Sequence, residues 1–290
     1  MREVRLRAFA KVNYALDVLG LRADGYHEVS TVMQSISLAD EVELRRATGG
    51  FDLSLEPEEV EIGPPERNTT YLAWKALQRQ TGEELPMKVT LRKEIPAGAG
   101  LGSGSADAAA VLVGLNELFG LGMRVEELRE TGGRIGADVP FCISGGTAMG
   151  EGVGEILTLL PAPPAHHLVV AKPSRSADTA GIYRAYDEAE TESINSVKPV
   201  VSALLSYNLP ALAAAVGNDL APVTRSFIPE VATLGRTLLA SGALGASMSG
   251  SGTAVFGIFH DAEAAGLAED TVDAPFIGVY EPMSRGVEIV

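Results

Sequence analysis

The stretch PAGAGLGSGS, residues 96–105, places four glycines and two serines in ten residues. It precedes the run ADAAAVLVGLNELF at 106–119, which is apolar on nearly every face, as a helix buried inside a fold must be. A glycine-rich loop that leads into a helix offers backbone N–H groups and the positive end of the helix dipole to an anion, whereas a tight turn needs one or two glycines. The stretch predicts a phosphate-binding loop, with Ser105 as N-cap and the hydroxyls of Ser103 and Ser105 as donors to phosphate or metal.

Spacing excludes two common loops of this kind. A Walker A loop needs a lysine after its last glycine, but no lysine lies between Lys93 and Lys172. In the dinucleotide fingerprint G-x-G-x-x-G, the third glycine position holds Ser103 or Ser105, depending on where the motif is started. A phosphate loop of a third kind remains.

The composition argues against several classes of partner. The net charge is −15, from 23 Lys+Arg against 38 Asp+Glu, whereas nucleic acids and anionic membranes are held largely by basic surface. The single cysteine, Cys142, excludes an internal disulfide and fits a reducing cytosol. The N-terminus lacks the apolar segment of a signal peptide, and no uncharged apolar stretch reaches the ~20 residues of a membrane span. We expect a cytoplasmic protein that binds neither nucleic acid nor membrane.

The hydrophobic pattern predicts an α+β protein, because strands precede helices in both halves of the chain. The predicted strands are 2–9, 41–46, 51–55, 87–93, 166–173 and 252–259. The predicted helices are 68–82, 106–119, 124–134, 178–191, 199–206, 210–216, 229–241 and 262–269. The proline-rich segment 159–167 is the expected linker between a domain at 1–160 and a domain at 161–290.

Four further blocks share the order and spacing of a known family. They are AKVNYALDV at 10–18, RADGYHEVSTVMQ at 22–34, GADVPFCISGGTAMGEGVGE at 136–155 and SMSGSGTAVFG at 247–257. Together with the glycine loop they resemble the GHMP kinases, over residues 8 to about 259. Within these kinases they resemble the branch that phosphorylates a cytidine diphosphate conjugate of methylerythritol. The resemblance implies an N-terminal α/β domain like ribosomal protein S5, a C-terminal ferredoxin-like α+β domain, and an active site in the cleft between them.

The resemblance also implies a reaction and its catalytic residues. The γ-phosphoryl group of ATP would pass to a tertiary hydroxyl of the conjugate, in the non-mevalonate route to isoprenoids. Asp138 would be the general base, and Lys11 would keep Asp138 ionised and stabilise the hydroxyl oxygen. Taken alone, an aspartate in GADVP is most often a turn or helix-cap residue, and Lys11 is compatible with an ordinary exposed lysine of a strand.

The ATP site would be the glycine loop, and Mg²⁺ would be held mainly by the ATP phosphates, with Ser105 as the loop side chain that could reach it. The loop residues implied are Pro96, Ala97, Gly98, Ala99, Gly100, Leu101, Gly102, Ser103, Gly104, Ser105 and Ala106. The family usually reads G-L-G-G-G-S-S-[DN]-A-A, so Ser103 replaces a glycine and Ala106 replaces the second serine. The adenine contacts are not assigned beyond the loop 58–69.

Five residues are implied for the acceptor. Tyr26 and His27 would stack on and hydrogen-bond the cytosine, Tyr183 would cover its other face with help from Thr179, and Asn13 would bond the substrate near the transferred phosphoryl group. In a sequence without this context, Tyr26 and Tyr183 are typical core residues and His27 a surface residue. The turn SGSG at 249–252 is expected to be a hairpin turn, to contact phosphates, or both.

Two other functions fit the same patterns. Another GHMP kinase, acting on homoserine, mevalonate or a sugar, would keep the glycine loop but would not need the block DGYHE at 24–28. A non-catalytic nucleotide-binding protein would keep the architecture, although the presence of both Lys11 and Asp138 argues against it. We expect a monomer or a weak homodimer.

Overall fold

The structure, a computed structural model, describes residues 2–56, 65–189 and 191–290. Residues 58–64 of the predicted adenine loop lie outside the described residues. Elements are numbered below in chain order along the whole chain.

An eight-stranded sheet forms the first half of the described fold, in the order β12-β1-β2-β4-β3, with β5 and β6 extending from β2 and β8 beside β1. Its strands are β1 (Glu3–Leu21), β2 (His27–Arg46), β3 (Phe51–Glu56), β4 (Met87–Arg92), β5 (Thr147–Glu151), β6 (Ile156–Leu159), β8 (Gly217–Asn218) and β12 (Val287–Ile289). Strands β1 and β2 form one long antiparallel hairpin, whereas β3 runs parallel to β4.

The two longest strands extend well beyond the segments predicted as 2–9 and 41–46. Residues 8–18 of β1 and 31–36 of β2 are all buried. A strand covered on both faces loses the alternation of apolar and polar residues on which the prediction depended. The predicted ends of these strands were therefore wrong, while β3 and β4 lie close to their predicted positions.

Four helices follow β3 in sequence and build the core with the sheet: α1 (Thr69–Thr81) before β4, and α2 (Ser103–Phe119), α3 (Val125–Gly133) and α4 (Val139–Ser144) after it. Helix α1 has Asn68 as its N-cap and Gly82 as its left-handed C-cap, which confirms the predicted ends. Helix α2 packs against β1 and β2, and an added Cβ at Gly114 would lie 2.5 Å from Leu44 Cδ1. This close approach confirms that the run after the glycine loop is a buried helix.

The second half contains a four-stranded antiparallel sheet in the order β11-β7-β10-β9, which is the order of a ferredoxin-like βαββαβ fold. Its strands are β7 (His167–Lys172), β9 (Gly245–Met248), β10 (Val255–Phe259) and β11 (Phe276–Tyr280). The helices are α5 (Thr179–Glu188), α6 (Val197–Leu205), α7 (Leu209–Ala215), α8 (Ala221–Phe227), α9 (Glu230–Ala240) and α10 (Ala262–Thr271). The short helix α8 was not predicted.

The predicted division at residue 160 falls between β6, in the first sheet, and β7, in the second. Two later segments return to the first sheet: β8 pairs in parallel with β1, and β12 pairs antiparallel with β1. The boundary between domains at 160 and 161 stays a prediction. Within the described residues, none of the helices is both long enough and apolar enough to cross a membrane.

Candidate active site

The glycine loop runs from the end of β4 to the start of α2. Gly98, Gly100 and Gly102 have φ of +60°, +77° and +75°, in the left-handed region that favours glycine. Helix α2 begins at Ser103, and its N-cap is Gly102. The prediction of Ser105 as N-cap was therefore wrong by three residues. Thr69, in the described part of the predicted adenine loop, donates from its hydroxyl to the carbonyl of Gly104 at 2.6 Å.

A buried ionic network joins the two ends of this loop. Lys93 Nζ lies 2.5 Å from Asp40 Oδ2, 2.5 Å from Asp107 Oδ2 and 2.9 Å from Ser103 Oγ. The hydroxyl of Ser103 donates to the carbonyl of Ile95 at 3.1 Å, so its one proton is used inside the protein. Ser103 therefore ties the start of α2 to the end of β4, and its backbone N–H remains the group that can face a phosphate.

Two carboxylates share one ammonium in that network. Asp40 also accepts the backbone N–H of Glu94 and Ile95, at 2.6 and 2.8 Å. Burial, followed by the nearby Asp40 charge, raises the pKa of Asp107 to about 7 against the opposing effect of Lys93, and Asp107 Oδ1 is buried without a partner among the described residues. Burial and the Asp40 charge thus disfavour the ionised form of Asp107, whereas the Lys93 ammonium favours it.

The side chains of Lys11 and Asn13 are aimed by irregularities in β1. The pairing of β1 with β2 shifts register between Phe9 and Lys11 and again between Asn13 and Ala15. Such bulges re-aim side chains relative to a regular strand. Lys11 Nζ donates to Asn13 Oδ1 at 2.7 Å and lies 3.3 Å from Asp138 Oδ2, which brings the two predicted catalytic groups together.

Asp138 lies at the N-cap position of the short helix α4, but its side chain makes no capping hydrogen bond. Its side chain is 34% exposed, whereas that of Lys11 is 4% exposed. The carboxylate thus has one side against a buried cation and another open to solvent. Close by, burial raises the pKa of the Cys142 thiol, and the charge of Asp138 adds to that effect, so this thiol stays protonated.

Asn13 forms the junction between three segments. Its Oδ1 accepts from Lys11 and from the backbone N–H of Gly250 at 2.9 Å, while its Nδ2 donates to Thr31 Oγ1 at 2.8 Å. Its backbone N–H donates to Ser249 Oγ at 3.2 Å, and Ser249 Oγ donates to the carbonyl of Gly100 at 2.8 Å. Asn13 is only 2% exposed. The geometry supports a role in positioning Lys11 and the glycine loop more than the predicted contact with substrate.

The turn 249–252 connects β9 and β10, which confirms the predicted hairpin. It packs directly against the glycine loop, because a Cβ added at Gly100 would lie 2.0 Å from the carbonyl oxygen of Ser249. Ala254 N–H donates to the carbonyl of Ala99 at 3.0 Å. The hydroxyls of Ser251 and Thr179 share a hydrogen bond of 2.8 Å, which links the start of α5 to the same turn.

His27, at the start of β2, is in contact with Tyr183 of α5. Their rings stack at 4.7 Å between centroids with 29° between planes, and His27 Nε2 lies 2.7 Å from Asp187 Oδ1. Burial, followed by the negative charge of Asp138, raises the pKa of the Tyr183 phenol. Tyr26 is 66% exposed in the hairpin turn between β1 and β2, so its ring is open to a ligand.

Several residues of the site carried no usable signal in the sequence. These residues are Asp40 and Asp107, which pair with Lys93, together with Ser249 and Asp187. Each is a polar residue whose contacts are distant in the chain. Asp107 stood at the [DN] position of the family loop and Ser249 in the turn SGSG at 249–252, but neither motif indicated which groups these side chains contact. Their roles come from tertiary contacts that spacing does not encode.

Comparison with known proteins agrees with this geometry. Residues 68–146 match the model of the GHMP kinases N terminal domain, and residues 200–278 match that of the GHMP kinases C terminal domain. A protein from Moorella thermoacetica named 4-diphosphocytidyl-2-C-methyl-D-erythritol kinase is 43% identical over 269 residues, which cover 91% of this chain and 93% of that protein.

Solved structures give the same result. A crystal structure of a 4-(cytidine 5'-diphospho)-2C-methyl-D-erythritol kinase superposes with a TM-score of 0.78 at 32% identity, covering 96% of this chain and 99% of that chain. A homoserine kinase from Cytophaga hutchinsonii superposes with a TM-score of 0.80 at 21% identity, covering 100% and 98%, and shows the shared fold alone.

The two domains and the loop between strand and helix place the chain among the GHMP kinases, which take their phosphoryl group from ATP. Within that superfamily, the extent of identity shows that it belongs to the family of 4-diphosphocytidyl-2-C-methyl-D-erythritol kinases.

The contact between Gly100 and Ser249 generates a prediction. Gly100→Ala should lower the free energy of unfolding by about 2 kcal/mol more than Gly82→Ala, because both positions strain an alanine but only Gly100 meets backbone. Gly82 is a matched control, with φ of +71° and no atom within 4 Å of an added Cβ. Denaturant unfolding measures both losses, and equal losses would contradict the packing described here. The Michaelis constant for ATP should rise in Gly100→Ala alone.

Proposed function

We propose that this chain transfers the γ-phosphoryl group of ATP to the tertiary hydroxyl of 4-diphosphocytidyl-2-C-methyl-D-erythritol, in the non-mevalonate route to isoprenoids. The observation that carries the proposal is the Lys11–Asp138 pair, 3.3 Å apart, beside the glycine loop, where the backbone N–H of Lys11 donates to the carbonyl of Leu101 at 3.0 Å. The names of the relatives at 37–44% identity support the choice of acceptor.

Asp138 acts as the general base in this proposal. A tertiary hydroxyl is a poor nucleophile, and phosphoryl transfer depends mainly on in-line positioning and charge neutralisation. Asp138 Oδ2 lies beside the Lys11 ammonium, so the carboxylate is held in place, and its exposed side can accept the proton of the acceptor hydroxyl. Lys11 then faces the oxygen on which negative charge develops.

The glycine loop binds the ATP phosphates. The overall charge of −15 repels a polyanion at long range, so attraction must be local. The loop supplies backbone N–H groups around Gly98, Gly100 and Gly102, and α2 directs the positive end of its dipole toward them. The whole implied stretch, Pro96 to Ala106, remains the proposed ATP site.

The site fits a Mg²⁺ held mainly by ATP. Hard cations take oxygen ligands and often bind through one or two protein groups plus substrate phosphates. The Ser105 hydroxyl has no hydrogen-bond partner among the described residues, and it lies 3.9 Å from the Cβ that Gly136 would carry, beside the turn that holds Asp138. Elsewhere in the described chain, no group of three or more His, Cys, Asp or Glu could hold a metal. When bound, Mg²⁺ would neutralise charge on the transferred phosphoryl group.

The acceptor end of the cleft suits a flat base. The exposed ring of Tyr26 and the half-buried ring of Tyr183 offer two aromatic faces, and His27 offers a ring nitrogen. Thr179 stands four residues before Tyr183, near the turn 249–252, where its hydroxyl can meet a phosphate of the conjugate. We propose these four residues, with Asn13 behind Lys11, as the acceptor-binding set.

An acceptor panel tests the function. Purified protein with ATP and Mg²⁺ should phosphorylate the cytidine conjugate with a kcat/KM at least about a hundredfold above that for mevalonate or homoserine, because a site built to bond a polar group rejects an analogue that lacks it. Comparable turnover of homoserine or mevalonate would indicate another GHMP kinase. Absence of turnover with every acceptor, while ATP still binds, would indicate a non-catalytic nucleotide-binding protein.

Asp138→Asn tests the catalytic assignment. The variant should lower kcat by roughly 10² to 10⁴-fold, because an amide of the same shape cannot accept the hydroxyl proton. The Michaelis constants for ATP and acceptor should change little. Asp52→Asn is the control, since Asp52 is 65% exposed on an edge strand far from the cleft. A kcat within threefold of wild type in Asp138→Asn would remove Asp138 as the base.

A further inference from the structure

Helix α5 holds the ring of His27 on two sides. Tyr183 stacks on one face of the imidazole, and the Asp187 carboxylate lies 2.7 Å from Nε2. Tyr183 and Asp187 are four residues apart, so they share one face of the helix. Ile182 and Tyr186 are buried in the C-terminal core and fix the helix from behind. A residue at the start of β2 is thereby positioned by a helix 160 residues away in sequence.

The contact with Asp187 determines where the imidazole carries its proton. A carboxylate oxygen only accepts hydrogen bonds, so Nε2 must be the donor. In the neutral ring, Nδ1 is then left as an acceptor. Among the described residues, Nδ1 has no hydrogen-bond partner, and it is not fully buried. The whole side chain of His27 is 8% exposed, and because Nε2 is held by Asp187, Nδ1 is the ring nitrogen left for contact with a ligand.

We infer that Asp187 is a positioning residue that makes the acceptor site selective for cytosine over uracil, by keeping the proton of His27 on Nε2. The inference rests on the proposed function, in which His27 meets the base. Cytosine presents an amino group at position 4, which donates to an acceptor, whereas uracil presents a carbonyl oxygen there. An Nδ1 lone pair attracts the first and repels the second.

Without Asp187, the imidazole of His27 could change its tautomer. A free imidazole can move its proton to Nδ1 and so donate to the carbonyl of uracil. With Asp187 in place, that tautomer would set the Nε2 lone pair against a carboxylate 2.7 Å away and leave the carboxylate without its donor. The carboxylate therefore makes the uracil-binding tautomer costly, although Asp187 itself does not reach the base.

The kinetic test compares cytidine and uridine conjugates as acceptors. Asp187→Ala removes the partner of Nε2, and Asp187→Asn keeps its shape while supporting either tautomer. Both variants should lower the ratio of kcat/KM for cytidine over uridine roughly tenfold, about the worth of one hydrogen bond. The Michaelis constant for ATP should stay at its wild-type value. Glu188→Ala is the matched control, because it removes an exposed carboxylate from the same helix, and it should keep the wild-type ratio.

Ring ¹⁵N chemical shifts give a readout that is independent of turnover. The chain has four histidines, so His27→Gln assigns the signal by difference. Wild type should show His27 protonated on Nε2, and Asp187→Ala should show a mixture of tautomers. A mixture in wild type, or an unchanged cytidine preference in both Asp187 variants of an active enzyme, would overturn this inference alone. A wild-type chain that does not phosphorylate the cytidine conjugate would overturn the proposed function and this inference with it.

Discussion

The site depends on one buried amide, Asn13. Its Oδ1 accepts from the Lys11 ammonium at 2.7 Å and from the backbone N–H of Gly250 at 2.9 Å, and its own N–H donates to the Ser249 hydroxyl. Ser249 in turn donates to Gly100 in the glycine loop. One residue of β1 thus joins Lys11, the hairpin turn of the second sheet and the glycine loop. Because a buried amide must satisfy its polar atoms, displacing any one of these segments leaves another without its partner.

A second constraint is electrostatic. The chain is strongly acidic, yet the proposed substrates are polyanions, so each positive group near the cleft has a definite place. Lys11 is paired with Asp138, while Lys93 is paired with both Asp40 and Asp107 beneath the loop. Lys93 therefore closes the loop and is not a free phosphate ligand. What remains for the nucleotide is backbone: the N–H groups of the loop and the dipole of α2.

Local signals in the sequence predicted the parts of the fold that depend on local physics. Asn68 and Gly82 bound α1 as predicted, and the apolar run after the glycine loop is the buried helix α2. The lengths of β1 and β2 were underestimated, because burial on both faces removes the alternation of apolar and polar residues that predicts a strand. The predicted N-cap of α2 was wrong because the helix already begins at Ser103. The Ser103 hydroxyl is hydrogen-bonded to Ile95 and Lys93, and these contacts form only when β4 and α2 pack together. The resemblance named Lys11, Asp138, His27 and Tyr183, and the structure pairs Lys11 with Asp138 and His27 with Tyr183. The contacts of Asp187 and Ser249 emerge only from the tertiary structure.

The most direct measurement of the central claim is a double-mutant cycle on kcat between Asn13→Ala and Ser249→Ala. If one junction holds Lys11 and the glycine loop together, either change breaks it, and the double variant should lose little more than the worse single variant, a coupling of about 1–2 kcal/mol. If the two residues act separately, the fold losses in kcat will multiply, and that result would contradict the account.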